Sequence, residues 1–348
     1  GTVNIMVPDD ILISFLEAPI ETKVKHCGAR GNKPYSEITQ LSKNPPRRIF
    51  GYNSRMDNTE YVEGARQTAI FLNFLSEALT DSWATGSDQK RSAVLDALYA
   101  WARNDALMET RQCVVDGIMS DSCTSWTQED GQDLSDKKDH GTVQMHMMHL
   151  AYGYYLTLSD FKPEDARHRT IQLWIDSFFE GNKEPREVYI GMDLGWYWPA
   201  VLQASVQKSA SRSAVSPTDL IEKAVSELDK IVLEDGSFKK RTTRGNRALW
   251  YHHTGLIETL ITLEMARKFE VEIPSSLEKR LEKSGEIFIR GFEDHSYMDR
   301  WAKTAHNSIF VPGEQDFSDT LNLANGNSWF YIFSYRYPNN GVTSRLDQ

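Results

Sequence analysis

The sequence predicts an all-α fold, and three observations carry that expectation. Apolar residues recur at three- and four-residue steps along most of the 348 positions. Convincing alternating strands are scarce. The stretches between periodic segments are mostly short, as in antiparallel helix hairpins. Eight or more such helices without a strong length break read as one domain over 1–348. An (α/α) toroid, or incomplete barrel of antiparallel hairpins, would place a groove at its centre.

The elements follow in order. Segment 60–83 sets Ala65, Ala69, Leu72, Leu75 and Leu79 on one face. Segment 88–108 repeats the pattern with Val94, Leu95, Leu98, Trp101, Ala102 and Leu107. A third helix is expected over 143–161, and a fourth over 164–181 with Gly181 as its stop. Helices follow at 192–210 and at 216–233, the latter opened by Ser216 as N-cap and Pro217 at N1. Segments 248–269, 275–292 and 328–338 complete the series. The polar, Gly- and Pro-containing stretch 26–58 is too long for a simple connector and reads as a lid or binding loop.

Composition narrows the function. A net charge of −10 argues against broad nucleic-acid binding, which needs a basic domain. No run of 18 apolar residues exists, so no membrane span is expected. The start, GTVNIMVPDDILISFLEAP, lacks a basic n-region and a clean apolar h-region. It reads as a mature end whose export signal has been removed, which makes the periplasm or the exterior the expected location. The three Cys, at 27, 113 and 123, form no CxxC pair, so neither a zinc site nor a thioredoxin-type motif is expected. Cys113 and Cys123 flank a turn-rich segment, where a loop disulfide and free thiols are both open. The 9 Trp, 14 Tyr and 15 Phe suit a protein that holds sugars, since pyranose C–H faces pack on rings; a large core accounts for most aromatics equally well.

One stretch goes against the overall charge. FKKRTTRGNRALWYHH, 238–253, gathers Lys239, Lys240, Arg241, Arg244 and Arg247 beside a Trp, a Tyr and two His. If the backbone is helical by Arg244, then Arg244 and Tyr251, seven apart, share a face, with Arg247 between them. A guanidinium beside a phenol favours the ionised ring and suits proton abstraction next to a carboxylate. The plainer reading is a solvated basic turn with Arg247 and Trp250 in structural roles.

The residues EDGSFKKRTTRGNRALWYHHTGLIETLITLEMA resemble a segment of the alginate lyases of polysaccharide lyase family 5. There an acidic–Gly–Phe turn leads into Arg and then R-A-L-x-Y-H. VLDALYAWARNDALM resembles the family's helix ending W-A-x-A-D-A-L-M. IFGYNSRMDN, 49–58, falls where the family has a mobile lid, and NSWFYIFSYRYP resembles its last helix. The resemblance implies catalytic roles for Arg244 and Tyr251, and a lid from which Tyr52 and Arg55 approach the substrate. Deleting the lid's tip is expected to weaken polymer turnover more than stability. Arg247, Trp196, Tyr197, Trp198, His252 and Asp193 are the remaining expected substrate contacts, with a supporting or structural role also open for His252.

The chain departs from that pattern at one motif. The family's N-N-H-S-Y-W, whose second Asn and His neutralise the substrate carboxylate and assist proton transfer, corresponds here to Asp193-Leu194-Gly195-Trp196-Tyr197-Trp198. The Tyr–Trp pair survives; the Asn–His pair does not. His146 is nominated as substitute, with His149 one turn on, although a His on a Met-rich face is also an ordinary core residue.

The expectation is therefore an all-α polysaccharide lyase that cleaves a 4-linked polyuronate by β-elimination without a metal or other cofactor. Its expected partner is an anionic polysaccharide, not nucleic acid or membrane, and its expected state a monomer. Two alternatives stand beside it. One is a uronyl hydrolase pairing Asp193 with Asp105; the other is a uronate-binding relative without activity.

Overall fold

The computed structural model describes residues 8–10, 14, 17–19, 21, 40, 43–45, 79, 86–108, 114–115, 118–119, 147–148, 150–180, 183–185, 187–188, 191–192, 194–209, 215–302, 314–317 and 328–346. The chain is mostly helical, as the periodicity predicts. Its only strands among the described residues are two antiparallel pairs, Val114–Val115 with Ile118–Met119 and Glu187–Val188 with Gly191–Met192. Two compact units divide the chain, Gly1–Val3 with Leu12–Arg186 and Asn4–Ile11 with Glu187–Gln348. No described helix is long and apolar enough to cross a membrane.

In the first unit, α1 (Asp88–Arg103) begins at Ser87, whose hydroxyl accepts from the Lys90 N–H at 3.3 Å. Its buried Leu95, Leu98, Trp101 and Ala102 pack on α3 (Arg167–Glu180), which presents Ile171, Trp174, Ile175 and Phe178. The Trp174 indole crosses back to the Ala106 carbonyl at 2.9 Å. Before α3 in the sequence comes α2 (150–157), whose Tyr154 hydroxyl donates to His168 Nδ1 at 2.7 Å. His168 Nε2 in turn donates to the Phe161 carbonyl at 2.6 Å, and the whole chain is buried. This Tyr–His pair is a satisfied core network.

The sequence carries α1 to residue 108, but the helix stops at Arg103. Asp105 takes a left-handed φ of 51° and its N–H bonds the Ala102 carbonyl, while the Ala106 N–H reaches Trp101 O. These are the two bonds of a Schellman motif, with Asp105 at the position usually held by Gly. The exposed Asp105 side chain thus sits where an L-residue is disfavoured. Asp105→Gly should leave stability unchanged or raise it by about 0.5–1 kcal/mol, read as a shift in urea midpoint. A substantial loss would contradict this assignment.

In the second unit, α4 (Tyr197–Ser209) packs on α5 (Pro217–Ile231). Ser216 caps α5 by accepting from the Asp219 N–H at 3.3 Å, with Pro217 at N1, as the sequence indicates. The stripe Leu220, Ile221, Ala224, Val225 and Leu228 faces α6 (Ala248–Lys268). Helix α6 also packs on α7 (Ser275–Glu293) and α9 (Ser328–Arg336), which leads to the short α10 (Thr343–Leu346). Covered by three helices, α6 buries residues all round its circumference and carries His252, His253 and Glu264 into the core. It is the element on which the candidate site is built.

Candidate active site

The site begins at the turn before α6. After Val232 bridges Phe238, the chain bends through Asp235, Gly236 and Ser237. Gly236 has φ +88° and lies against α7 so closely that a Cβ would come within 2.6 Å of the Lys283 and Ser284 backbone. The Thr242 hydroxyl oxygen accepts from the Phe238 N–H at 2.8 Å, and its proton goes to His252 Nδ1 at 3.0 Å. His252 Nε2 donates to the Ser284 carbonyl of α7 at 2.8 Å, which fixes the neutral tautomer. Thr242 and His252 thereby tie the turn, α6 and α7 together.

His252 is fully buried, with both ring nitrogens engaged inside the protein. The structure therefore replaces the expected substrate contact with the supporting role. Burial holds its imidazole well below the usual 6.5, at about 4, against the opposing hydrogen bond to Ser284. The unfolded chain takes up this proton near 6.5 and the folded one only near 4, so between those values unfolding binds a proton. The contribution to stability is complete above about 6.5, declines as pH falls toward 4, and is then lost, for a total of roughly 3 kcal/mol. A histidine C–H resonance titrating near pH 4, absent from a His252→Asn spectrum, is expected. A His252 midpoint near 6.5 would contradict it.

The basic run divides by burial. Arg241 is 1% exposed and serves the fold: its Nη2 meets Glu258 Oε2 at 2.6 Å and its Nη1 donates to Thr254 at 3.1 Å. Lys239 is exposed. Arg244 is buried, and its guanidinium carbon lies 5.3 Å from the centroid of the Tyr251 ring. Tyr251 is itself 7% exposed. The two residues singled out by spacing are therefore brought together, though not by the expected route. Gly245 intervenes at a left-handed φ of 57°, so Arg244 precedes the helix, and a single 3-10 turn, Gly245–Arg247, leads into α6. The same break leaves Arg247 exposed near Asp316, at 3.8 Å, and not in a row with the buried pair.

Gln315 holds this entry in place. Its amide nitrogen donates to the Gly245 carbonyl at 2.9 Å, and its oxygen accepts from the Leu249 N–H at 3.0 Å. Leu249 is in the first turn of α6, where N–H groups have no intrahelical acceptor, so a side chain from 66 residues away caps the helix. The next residue adds a backbone bond, Asp316 N–H to Asn246 O at 2.6 Å. Nothing in the local pattern around GEQDF announces this, because the contact is long-range.

Leu194–Trp196, at the departed motif, forms a 3-10 turn against α6. Trp196 and Tyr197 are buried edge-to-face with ring centroids 5.3 Å apart, so each has an aromatic packing partner. Trp198 is half-buried and donates its indole N–H to Thr262 at 3.0 Å. Thr262 is eleven residues beyond Tyr251, roughly 16 Å along the helix axis at 1.5 Å per residue, which separates Trp198 from the Arg–Tyr pair. Asp193, His146, His149, Tyr52, Arg55, Cys113 and Cys123 lie outside the described residues, as do the expected lid 49–58 and Gly181.

Compared with models of known protein families and with curated proteins, the chain matches none of them.

Proposed function

We propose that the protein is a polysaccharide lyase, built on a helical toroid, that cleaves a 4-linked polyuronate by β-elimination. One observation carries the proposal: the Arg244 guanidinium carbon lies 5.3 Å from the centroid of the Tyr251 ring, and both residues are buried at the start of α6. Exclusion of water strengthens every electrostatic interaction there. In the proposed reaction Tyr251 removes the proton from C5, the C4–C5 double bond forms, and the C4–O4 bond breaks. The proton is then delivered to the departing O4. Arg244 stabilises the negative charge that builds on the substrate carboxylate in between. Tyr251 is covered, so turnover requires its hydroxyl to be uncovered.

Stereochemistry narrows the substrate. In β-D-mannuronate or β-D-glucuronate chains, H5 and O4 lie on one ring face, and a single tyrosine can act first as base and then as acid. In guluronate they lie on opposite faces and two groups are needed. The lost Asn–His pair therefore matters least for the first class. Rates on polymannuronate, polyglucuronate and polyguluronate test this reading. Cleavage of one of the first two, with polyguluronate at least tenfold slower, is the expected outcome. Preference for polyguluronate would refute the single-tyrosine scheme.

A further inference from the structure

A second constellation lies in the same unit, on the surface of α7. A groove of about 620 Å³ is bounded by Asp235, Lys283, Arg290, Tyr297, Arg300 and Trp301. That volume falls within the roughly 300–1,000 Å³ typical of small-molecule sites. Its rings are fixed. The Asp235 carboxylate accepts from the Ser237 N–H and hydroxyl with one oxygen, and from the Trp301 indole at 2.9 Å with the other. Trp301 meets Tyr297 edge-on, centroids 5.3 Å apart.

Two arginines share the Tyr297 ring, Arg290 at 4.2 Å and Arg300 at 4.3 Å from its centroid. Arg300 also lies 5.1 Å from the Trp301 centroid. Cation–π contacts orient both guanidinium groups without using their N–H donors, although one Arg290 nitrogen also reaches Glu286. Arg290 has Glu286 at 3.5 Å, an exposed pair of small energetic weight. Arg300 makes no ion pair among the described residues. Both arginines bring positive charge to the Tyr297 ring, and a bound anion nearby would offset their mutual repulsion.

The ligand class follows from the remaining groups. Lys283, Arg290 and Arg300 face Asp235 and Glu286, so the groove is only mildly positive. Polyphosphate or nucleic acid calls for a denser cationic surface. A pyranose bearing one carboxylate fits better: the guanidinium edges take the carboxylate, the Trp301 ring takes C–H faces, and Glu286 accepts hydroxyl protons. The α8 turn (Asp299–Ala302), which carries Arg300 and Trp301, packs directly on the Gly245–Arg247 turn beside Arg244. We infer that this groove is a second uronate-binding site, a holding subsite for a polyuronate chain; its choice of ligand rests on the function proposed above.

Titration with defined oligouronates, followed by calorimetry on the full chain, tests the site. Tyr251→Phe should bind them, and adding Arg290→Gln with Arg300→Gln should weaken that binding at least tenfold. Both arginines are exposed, so folding should survive, and unchanged circular dichroism would establish it. Lys223→Gln with Lys230→Gln, which removes the same charge from exposed positions on α5, should leave binding intact. Equal loss in that control, or equal binding by the arginine variant, would overturn the groove. Competition by inorganic phosphate at the same concentration as the oligouronate would also overturn it as a sugar site. Binding that depends on the arginines without any cleavage by the wild type would leave the groove standing and remove the lyase.

Discussion

Tyr251→Phe is expected to lower polyuronate cleavage by at least about 10² to 10⁴-fold, since one group serves as both base and acid. The substitution keeps the ring, and with it the contact to Arg244 at 5.3 Å, so folding should be nearly unchanged. Arg244→Lys keeps a charge but loses the planar guanidinium that lies on the ring, and should be severely impaired as well. Asp193→Asn separates the lyase from a hydrolase. A lyase that uses Tyr251 should retain activity in this variant, or gain some if Asp193 repels the substrate carboxylate. A hydrolase that depends on the carboxylate should lose it. Initial rates of the three variants on one polymer provide the check; wild-type rates for Tyr251→Phe with an inactive Asp193→Asn would transfer the assignment to the hydrolase.

The largest effect on stability is expected at the other end of the same helix. Glu264 is 1% exposed, and Arg336 of α9 holds it with two bonds of 2.6 Å. Arg267 adds a third at 3.1 Å and continues to Glu278 at 2.6 Å. Removing the carboxylate leaves Arg336 facing a pocket shaped for an anion, which costs far more than the loss of an exposed pair. Glu264→Ala should therefore destabilise the protein by about 3 kcal/mol. Breaking the exposed Arg345–Glu293 pair with Arg345→Gln should cost far less, because solvent screens it. Urea unfolding of both variants decides it. Equal losses would show that burial does not set the strength of the Glu264 network.

What the sequence reveals follows the range of the interactions involved. Helix α5 is announced by a local cap and a local apolar stripe, Ser216 and Leu220 through Leu228, and it stands within two residues of its expected ends. The early stop of α1 depends on Asp105 adopting a conformation that sequence assigns to Gly. At the site, local spacing pairs Arg244 with Tyr251, yet the left-handed Gly245 supplies a different geometry and turns Arg247 outward. The groups that hold the pair are invisible to any window of sequence. Gln315 reaches the start of α6 across 66 residues, and His252 reaches Ser284 across 32. Burial, likewise, is a property of the assembled core, and it encloses Trp196, Tyr197 and His252 together with Arg244 and Tyr251.

The central claim, β-elimination through Tyr251, is tested most directly on polymannuronate by following ultraviolet absorbance and new reducing ends in one time course. Elimination creates a conjugated unsaturated uronate at each cut, so both signals should rise together in the wild type and neither in Tyr251→Phe. Reducing ends that appear without absorbance would mean hydrolysis, and their rise at an undiminished rate in Tyr251→Phe would contradict the account.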